Sequence, residues 1–353
     1  MAYANISKPS LHFNSKLYTG NSSTQSITGV GFQPDLTWIK DRIGSTEVYS
    51  HYLFDAVRGA TKWVKSNSTD AQSTTTDTLT AFDSDGFSLG ANAKTNASGD
   101  AIASWNWKAN GAGSANTDGQ ITSTVSANTT AGFSIVKFDL TSEGSATKTV
   151  GHGLGVAPKM IITKPLGAIG WHTWHTSLGT DYVVLNTTAA KASSGNFLNS
   201  EVPTASTFKI GDTSNGTFWN NNDCIAYCFA EIDGYSRFGQ YTGNGNDDGT
   251  FVYTGFAPAF LLLKETSAGT NDSWFIVDNK RNTYNPRSKN LRPNNTDAEA
   301  DSAWMIVDFL SNGFKINDDD ASINESGKNY IYMAFAAEPL VANVGSSIPA
   351  TAK

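Results

Sequence analysis

His152, His172 and His175 are the first residues to weigh for chemistry, because imidazole nitrogen is the commonest protein ligand for a transition metal. His172 and His175 stand three apart, which on a strand puts them on opposite faces. No nearby cysteine or carboxylate completes a tetrahedral set, so no metal site is expected. Carboxylates cluster at Asp247-Asp248 and Asp318-Asp319-Asp320, and Asp83 and Asp85 lie in a turn. Oxygen-rich turns of this kind could hold Ca²⁺, but none has the spacing of a calcium loop, and the reading assigns no cofactor. A glycosidase needs two carboxylates placed across a sugar, and no pair here can be singled out. No GxSxG element and no phosphate-binding glycine loop occurs. The expectation is a chain with no catalytic residue, not an enzyme.

Aromatic side chains offer a different chemistry. Sugar rings present C–H faces that pack on indole, while loop Asn, Asp and Ser bond the hydroxyls. Trp171, Trp174, Trp219, Trp274 and Trp304 fall outside the most apolar stretches, as does Trp63. Trp219 sits in GTFWNNND, residues 216–223, beside Asn221. Trp171, Trp174, Trp219, Asn221, Trp274 and Trp304 are therefore the candidate glycan-binding residues. The competing reading makes each tryptophan a core or interface anchor, as Trp38 and Trp105 plainly are.

The elements that would position these residues recur three times. GFQPDLTWIK (31–40) returns as LGVAPKMIITK (154–164) and as GFAPAFLLLK (255–264). Pro34, Pro158 and Pro258 correspond, each expected at the entrance of a strand where its missing N–H does no harm, as do Lys40, Lys164 and Lys264. Leu36, Met160 and Phe260 would point one way, and so would Trp38, Ile162 and Leu262 two residues on. Apolar residues between them in the second and third copies predict a strand covered on both faces. HYLFDAVRG, WHTWHTSLG and SWFIVDNKRN follow, each reading as a strand that runs into a turn. There Asp55, His175 and Asp278 align, and Arg58 matches Arg281 with Leu178 between. Asp and Arg three apart predict a local ion pair, weak if exposed. Asp85-Gly86 and Asn312-Gly313 are hairpin signals. Dense apolar strands close each copy: AIASWNW, DCIAYCF and NYIYMAF. Offsets stay at about 120–124 residues between the first two copies and about 100–106 between the next two.

The 353-residue length suits two or three domains. Only 16% of residues are charged, and helix formers are scarce in runs, so strands and turns are favoured. The fold expected is all-β, with three tandem homologous β-sandwich units of jelly-roll or lectin-like type. Their bounds are 11–108, 133–234 and 235–339, with an arm at 1–10, a Gly/Ser/Thr-rich linker at 109–132 and a tail at 340–353. Whether the units close separately, share one core or surround a threefold axis stays open. A net charge of -7 argues against nucleic acid as a partner, and the basic stretch KRNTYNPRSKNLR (280–292) reads as a solvated loop face. Cys224 and Cys228, four apart on a strand, would lie roughly 13 Å from each other, too far for a disulfide. No signal peptide and no apolar run of about 18 residues is evident, so membrane insertion is not expected.

TAGFSIVKF (130–138), VGHGLGVAPKMIITK (150–164), WHTWHTSLG, and the stretch from YCFAEIDGYSRFGQYTG to YIYMAFAAEP resemble a family of tailed-bacteriophage virion proteins of tail-fibre-like type, common among marine phages. GFQPDLTWIKDR and FDAVRGATK are similar to an upstream repeat of the same family. That resemblance implies a place on the virion among other virion proteins, and carries no catalytic residues. The function expected is a non-enzymatic structural protein on an exposed surface, in a tail fibre or appendage, attaching to host glycan. The alternative is a capsid decoration or head-fibre protein; a polysaccharide depolymerase ranks below both. Phage appendages are often trimeric, which makes a homotrimer the natural oligomer to test.

Overall fold

A computed structural model describes residues 5–44, 47–267 and 272–339. The chain is nearly all β, as the composition predicts; the helical turns among the described residues span three or four residues each. Three large antiparallel sheets dominate. The first orders Phe13–Thr19, Ala101–Trp107, Leu36–Asp41 and Tyr52–Asp55 side by side. The second repeats that order with Phe133–Asp139, Asp223–Phe229, Met160–Pro165 and His172–His175. The third does so with Ser236–Thr242, Asn329–Pro339, Phe256–Glu265 and Trp274–Asp278. In each, the strand that carries the recurrent lysine as its last residue but one lies inside the sheet.

Each large sheet also packs against a small one on its outer face. The small sheets are Gln25–Thr28 with Gly86–Leu89 and Leu79–Asp83, then Lys148–Gly151 with Thr207–Ile210, then Phe251–Tyr253 with Gly313–Ile316 and Val307–Leu310. Strand periodicity divides the apolar residues between two destinations. Leu36, Trp38, Met160, Ile162, Phe260 and Leu262 all enter one central core shared by the three large sheets. Ile39, Ile161, Leu261 and Leu263 point the other way, into three separate outer cores. The recurrent strands are thus covered on both faces.

At the centre, Trp107, Phe229 and Phe335 each come from the closing strand of one sheet. Their ring centroids lie 6.3, 5.9 and 6.1 Å apart, close to an equilateral triangle. Of the arrangements left open by the sequence, a core shared by the three large sheets is observed, beside a separate outer core for each.

Three expectations need correcting. Residues 109–132 are not a free linker: Ser114–Asn116 and Ser123–Asn128 extend the second sheet, because Ile121 and Val125 are spaced to reach its outer core. Pro258 does not precede its strand as Pro34 and Pro158 do; it lies within Phe256–Glu265, at a register shift that spares the missing N–H. The basic stretch at 280–292 is not simply a solvated face, since Arg281 and Arg287 are buried. Cys224 and Cys228 are buried and free, as expected. The tail at 340–353 and residues 1–4 of the arm lie outside the described residues.

Candidate functional site

The residues with the most unusual chemistry sit where the three blocks meet. Lys40, Lys164 and Lys264 follow the core-facing positions of their strands and are buried. Each ammonium is held by backbone carbonyls, its own block's and another's. Lys40 donates to Tyr49 O at 2.8 Å and to Thr296 O of the third block at 3.0 Å. Lys164 donates to Pro165, Gly167 and Ile169 carbonyls at 2.7–2.8 Å and reaches Thr69 O of the first block at 3.4 Å. Lys264 donates to Glu265 O at 2.6 Å and to Thr188 O of the second block at 3.1 Å. First to third, second to first, third to second: the contacts close a ring. Burial pushes Lys164 down to about 7, and Lys40 and Lys264 to about 8. Every hydrogen bond these ammonium groups make here goes to a backbone carbonyl, which is a structural role.

A second ring runs the other way. Asp55 and Asp278 each accept from the backbone N–H three residues on, at 2.8 and 2.9 Å, and each pairs with the arginine there. Both pairs have side chains with 0% exposure, so the local ion pairs the spacing predicts form as buried bridges. Tyr227 of the second block donates to Asp55 at 2.9 Å, and Trp105 of the first donates to Asp278 at 3.0 Å. At the aligned position in the second block, His175 Nδ1 accepts from Ser177 N at 3.1 Å and Nε2 faces Tyr332 O of the third block at 3.2 Å. This is one role in three chemical versions. Met333, the counterpart of Tyr227 and Trp105, has no donor, and a histidine that can donate to the neighbouring carbonyl replaces the carboxylate.

The other candidates fall as follows. Trp171, Trp174, Trp219 and Trp274 are buried, which removes them from sugar stacking and supports the anchor reading. Their indole N–H groups are spent on backbone carbonyls: Trp171 on Lys65, Trp274 on Val184, Trp174 on Gly179 and Trp219 on Asn196. Two of these bonds cross between blocks. Trp304 is half-buried, lying against Phe275 and under the Arg292 guanidinium. Asn221 has positive φ in a turn and serves that turn through its N–H to Thr213. His152 is buried, near Thr204 O, and His172 packs between Phe218, Phe197 and Tyr182. Among the described residues no group of three or more His, Cys, Asp or Glu could hold a metal. Asp85 and Asp320 are bound into turns, Asp85 through Gly29 and Gly31 N–H and Asp320 as a helix cap. Asp83 accepts from Ser88, and Asp248 pairs with Lys315.

What sequence reasoning missed is a pair of exposed aromatics. Phe251 is 45% and Tyr253 56% exposed, two apart on a strand whose one neighbour among the described residues is Gly313–Ile316. Both face outward, with Val252 inward. Lys315 and Asp308 share the rung of Phe251. Aligned positions in the first block carry Ser26 and Thr28. In the second, the equivalent strand is covered by the chain itself: Ile121 bridges Val150, and Ser123 donates to Gly151 O. Among the described residues, the edge strand of the third block is thus the one of the three that is both aromatic and open. The signal was present as alternation in TFVYTG, but it was absorbed into a turn-rich stretch.

No helix among the described residues is long and apolar enough to cross a membrane. A family model, the domain of unknown function DUF7483, matches residues 8–339. No curated protein and no solved structure matches the chain.

Proposed function

The chain belongs to the DUF7483 family, and we propose that it is a non-enzymatic structural protein of a bacteriophage virion, exposed on a tail fibre or appendage and attaching to host surface glycan. The observation that carries the attachment reading is the Phe251–Tyr253 edge. Two aromatic faces at alternate strand positions offer stacking surfaces, and the Lys315–Asp248 pair on the rung of Phe251 sets polar groups beside them. The location on a virion rests on the sequence resemblance. The buried lysines and Asp–Arg pairs fit a scaffold, since each is consumed by carbonyl or inter-block contacts.

The test is binding of the purified chain to host cells and to their extracted surface polysaccharide. Binding that falls about tenfold or more in a Phe251→Ser/Tyr253→Ser variant supports the reading. A chain that binds neither cells nor polysaccharide overturns it. The triangular centre favours a second reading, a capsid decoration protein seated at a threefold position. Immunogold microscopy separates the two: label on fibres supports attachment, and label spread over the head supports decoration. Release of new reducing ends from the polysaccharide would overturn the non-enzymatic assignment.

A further inference from the structure

The three block junctions are not filled alike. At the first, buried Asp35 accepts from Ala109 N at 2.7 Å and Gly111 N at 3.1 Å. At the second, Glu231 accepts from Arg237 at 2.9 Å and from Phe238 N at 3.2 Å. By the alignment of the closing and lysine-bearing strands, the positions of Asp35 and Glu231 are held at the third junction by Ala259 and Ala337. Neither supplies a carboxylate. In its place is a cavity of about 440 Å³ between the first and third blocks, lined among others by Ser15, Ala259, Asn279, Arg287, Phe309 and Ala337. That volume is within the range of small-ligand sites.

The cavity wall holds unmet polar capacity. Arg287 is 3% exposed, its guanidinium stacks on Phe309 at 4.5 Å, and it makes no ion pair among the described residues. Among the described residues its Nε–H has no partner, and neither do Ser15 Oγ and Asn279 Oδ1. Burial pulls Arg287 down to about 10 even with the Asp278 and Asp308 carboxylates acting on it from beyond pairing distance, and a bound anion in direct contact reduces that cost. Lys280 adds a second cation to the wall and Glu338 one carboxylate, which leaves the lining net positive.

The geometry points to this cavity as a binding site for a small carboxylate that carries neighbouring hydroxyls, the chemistry of a uronic acid. The carboxylate takes the place that Asp35 and Glu231 fill at the other junctions and pairs with Arg287, while hydroxyls meet Ser15 and Asn279. The three orphan atoms are closed over in the unliganded arrangement, so binding includes turning of these side chains. This inference concerns a site distinct from the Phe251–Tyr253 edge and does not depend on the virion reading.

The experiment is calorimetric titration of the full chain with glucuronate, glucose and inorganic phosphate. Glucuronate is expected to bind and to raise the melting temperature with concentration, while glucose does neither. Arg287→Met should weaken glucuronate about tenfold or more. Asn279→Asp, which keeps the side-chain shape but adds a negative charge to the wall, should do the same and keeps the test alive if Arg287→Met does not fold. Equal binding of glucose and glucuronate, tighter binding of phosphate than of glucuronate, or undiminished binding by a folded Arg287→Met or Asn279→Asp variant overturns the proposal.

Discussion

His175 shows how a buried group can be read wrongly from its type and rightly from its alignment. As an imidazole it invites a metal; as the counterpart of Asp55 and Asp278 it is a hydrogen-bond bracket between blocks. The alignment was legible, but the partners were not, because Tyr332, Tyr227 and Trp105 lie more than a hundred residues away in the chain. Burial pushes His172 and His175 down to about 4. Both are neutral in the folded chain near neutrality, whereas the unfolded chain titrates near 6.5. Between those values the unfolded state binds protons that the folded state does not, so stability is full above about pH 6.5 and is lost as pH falls toward 4. Denaturant midpoints measured across that window should fall, and a His172→Gln variant should flatten the slope. The buried pairs carry a complementary prediction. Asp55→Asn should destabilise the chain by about 3–5 kcal/mol, because it leaves Arg58 buried without its counter-charge. The double variant Asp55→Asn/Arg58→Met should lose less than the sum of the single changes, as a double-mutant cycle by chemical denaturation would read. Lys164→Met, which keeps the stem but abandons its carbonyls, should cost about 1–3 kcal/mol by the same measurement.

The recurrent strands illustrate what periodicity can and cannot deliver at the scale of an element. Alternation placed Leu36, Met160 and Phe260 on one face correctly, since side-chain direction along a strand is fixed by geometry alone. It did not reveal that both faces lead to different cores. The segment 109–132 was misread because Gly, Ser, Thr and Asn dominate it, while the few residues that matter, Ile121 and Val125, are diluted. The choice between the glycan and anchor readings of the tryptophans was not legible for a related reason: a loop position in sequence says nothing of burial when the covering surface comes from another block. Trp171 bonds Lys65 O and Trp274 bonds Val184 O, both long-range. The Phe251–Tyr253 strand is the element on which the attachment reading depends, and it allows a separation of function from stability. Both side chains face solvent, so Phe251→Ser/Tyr253→Ser should alter the unfolding free energy by no more than about 0.5 kcal/mol per site. A substantially larger loss in thermal unfolding would mean that the edge is covered by something in the folded chain, and would remove it as a binding surface.

Three sheets that each present one face to a common core make the whole chain the unit of folding. Each block has an outer core of its own, which could make it separable. Against that stands the central core, where Phe13, Trp107, Phe229, Phe260 and Phe335 pack ring against ring across block boundaries. A block cut free would leave that face in water, losing about 25 cal/mol for each Å² of apolar surface exposed. It would also break both rings of inter-block hydrogen bonds and strand Lys40, Lys164 or Lys264 short of a carbonyl. Burial of the shared face therefore couples the blocks, and the expectation is that they unfold together. Calorimetry of the full chain should show one unfolding transition, and a fragment of residues 235–339 should lack the dispersed spectrum of a folded domain. Truncating a vertex of the triangle should act on all three blocks at once: Phe229→Ala and Phe335→Ala should each cost about 3–5 kcal/mol and lower that single transition without splitting it. Two resolved transitions in either variant would show that the outer cores hold the blocks together independently, and that the shared centre is a docking surface between finished domains.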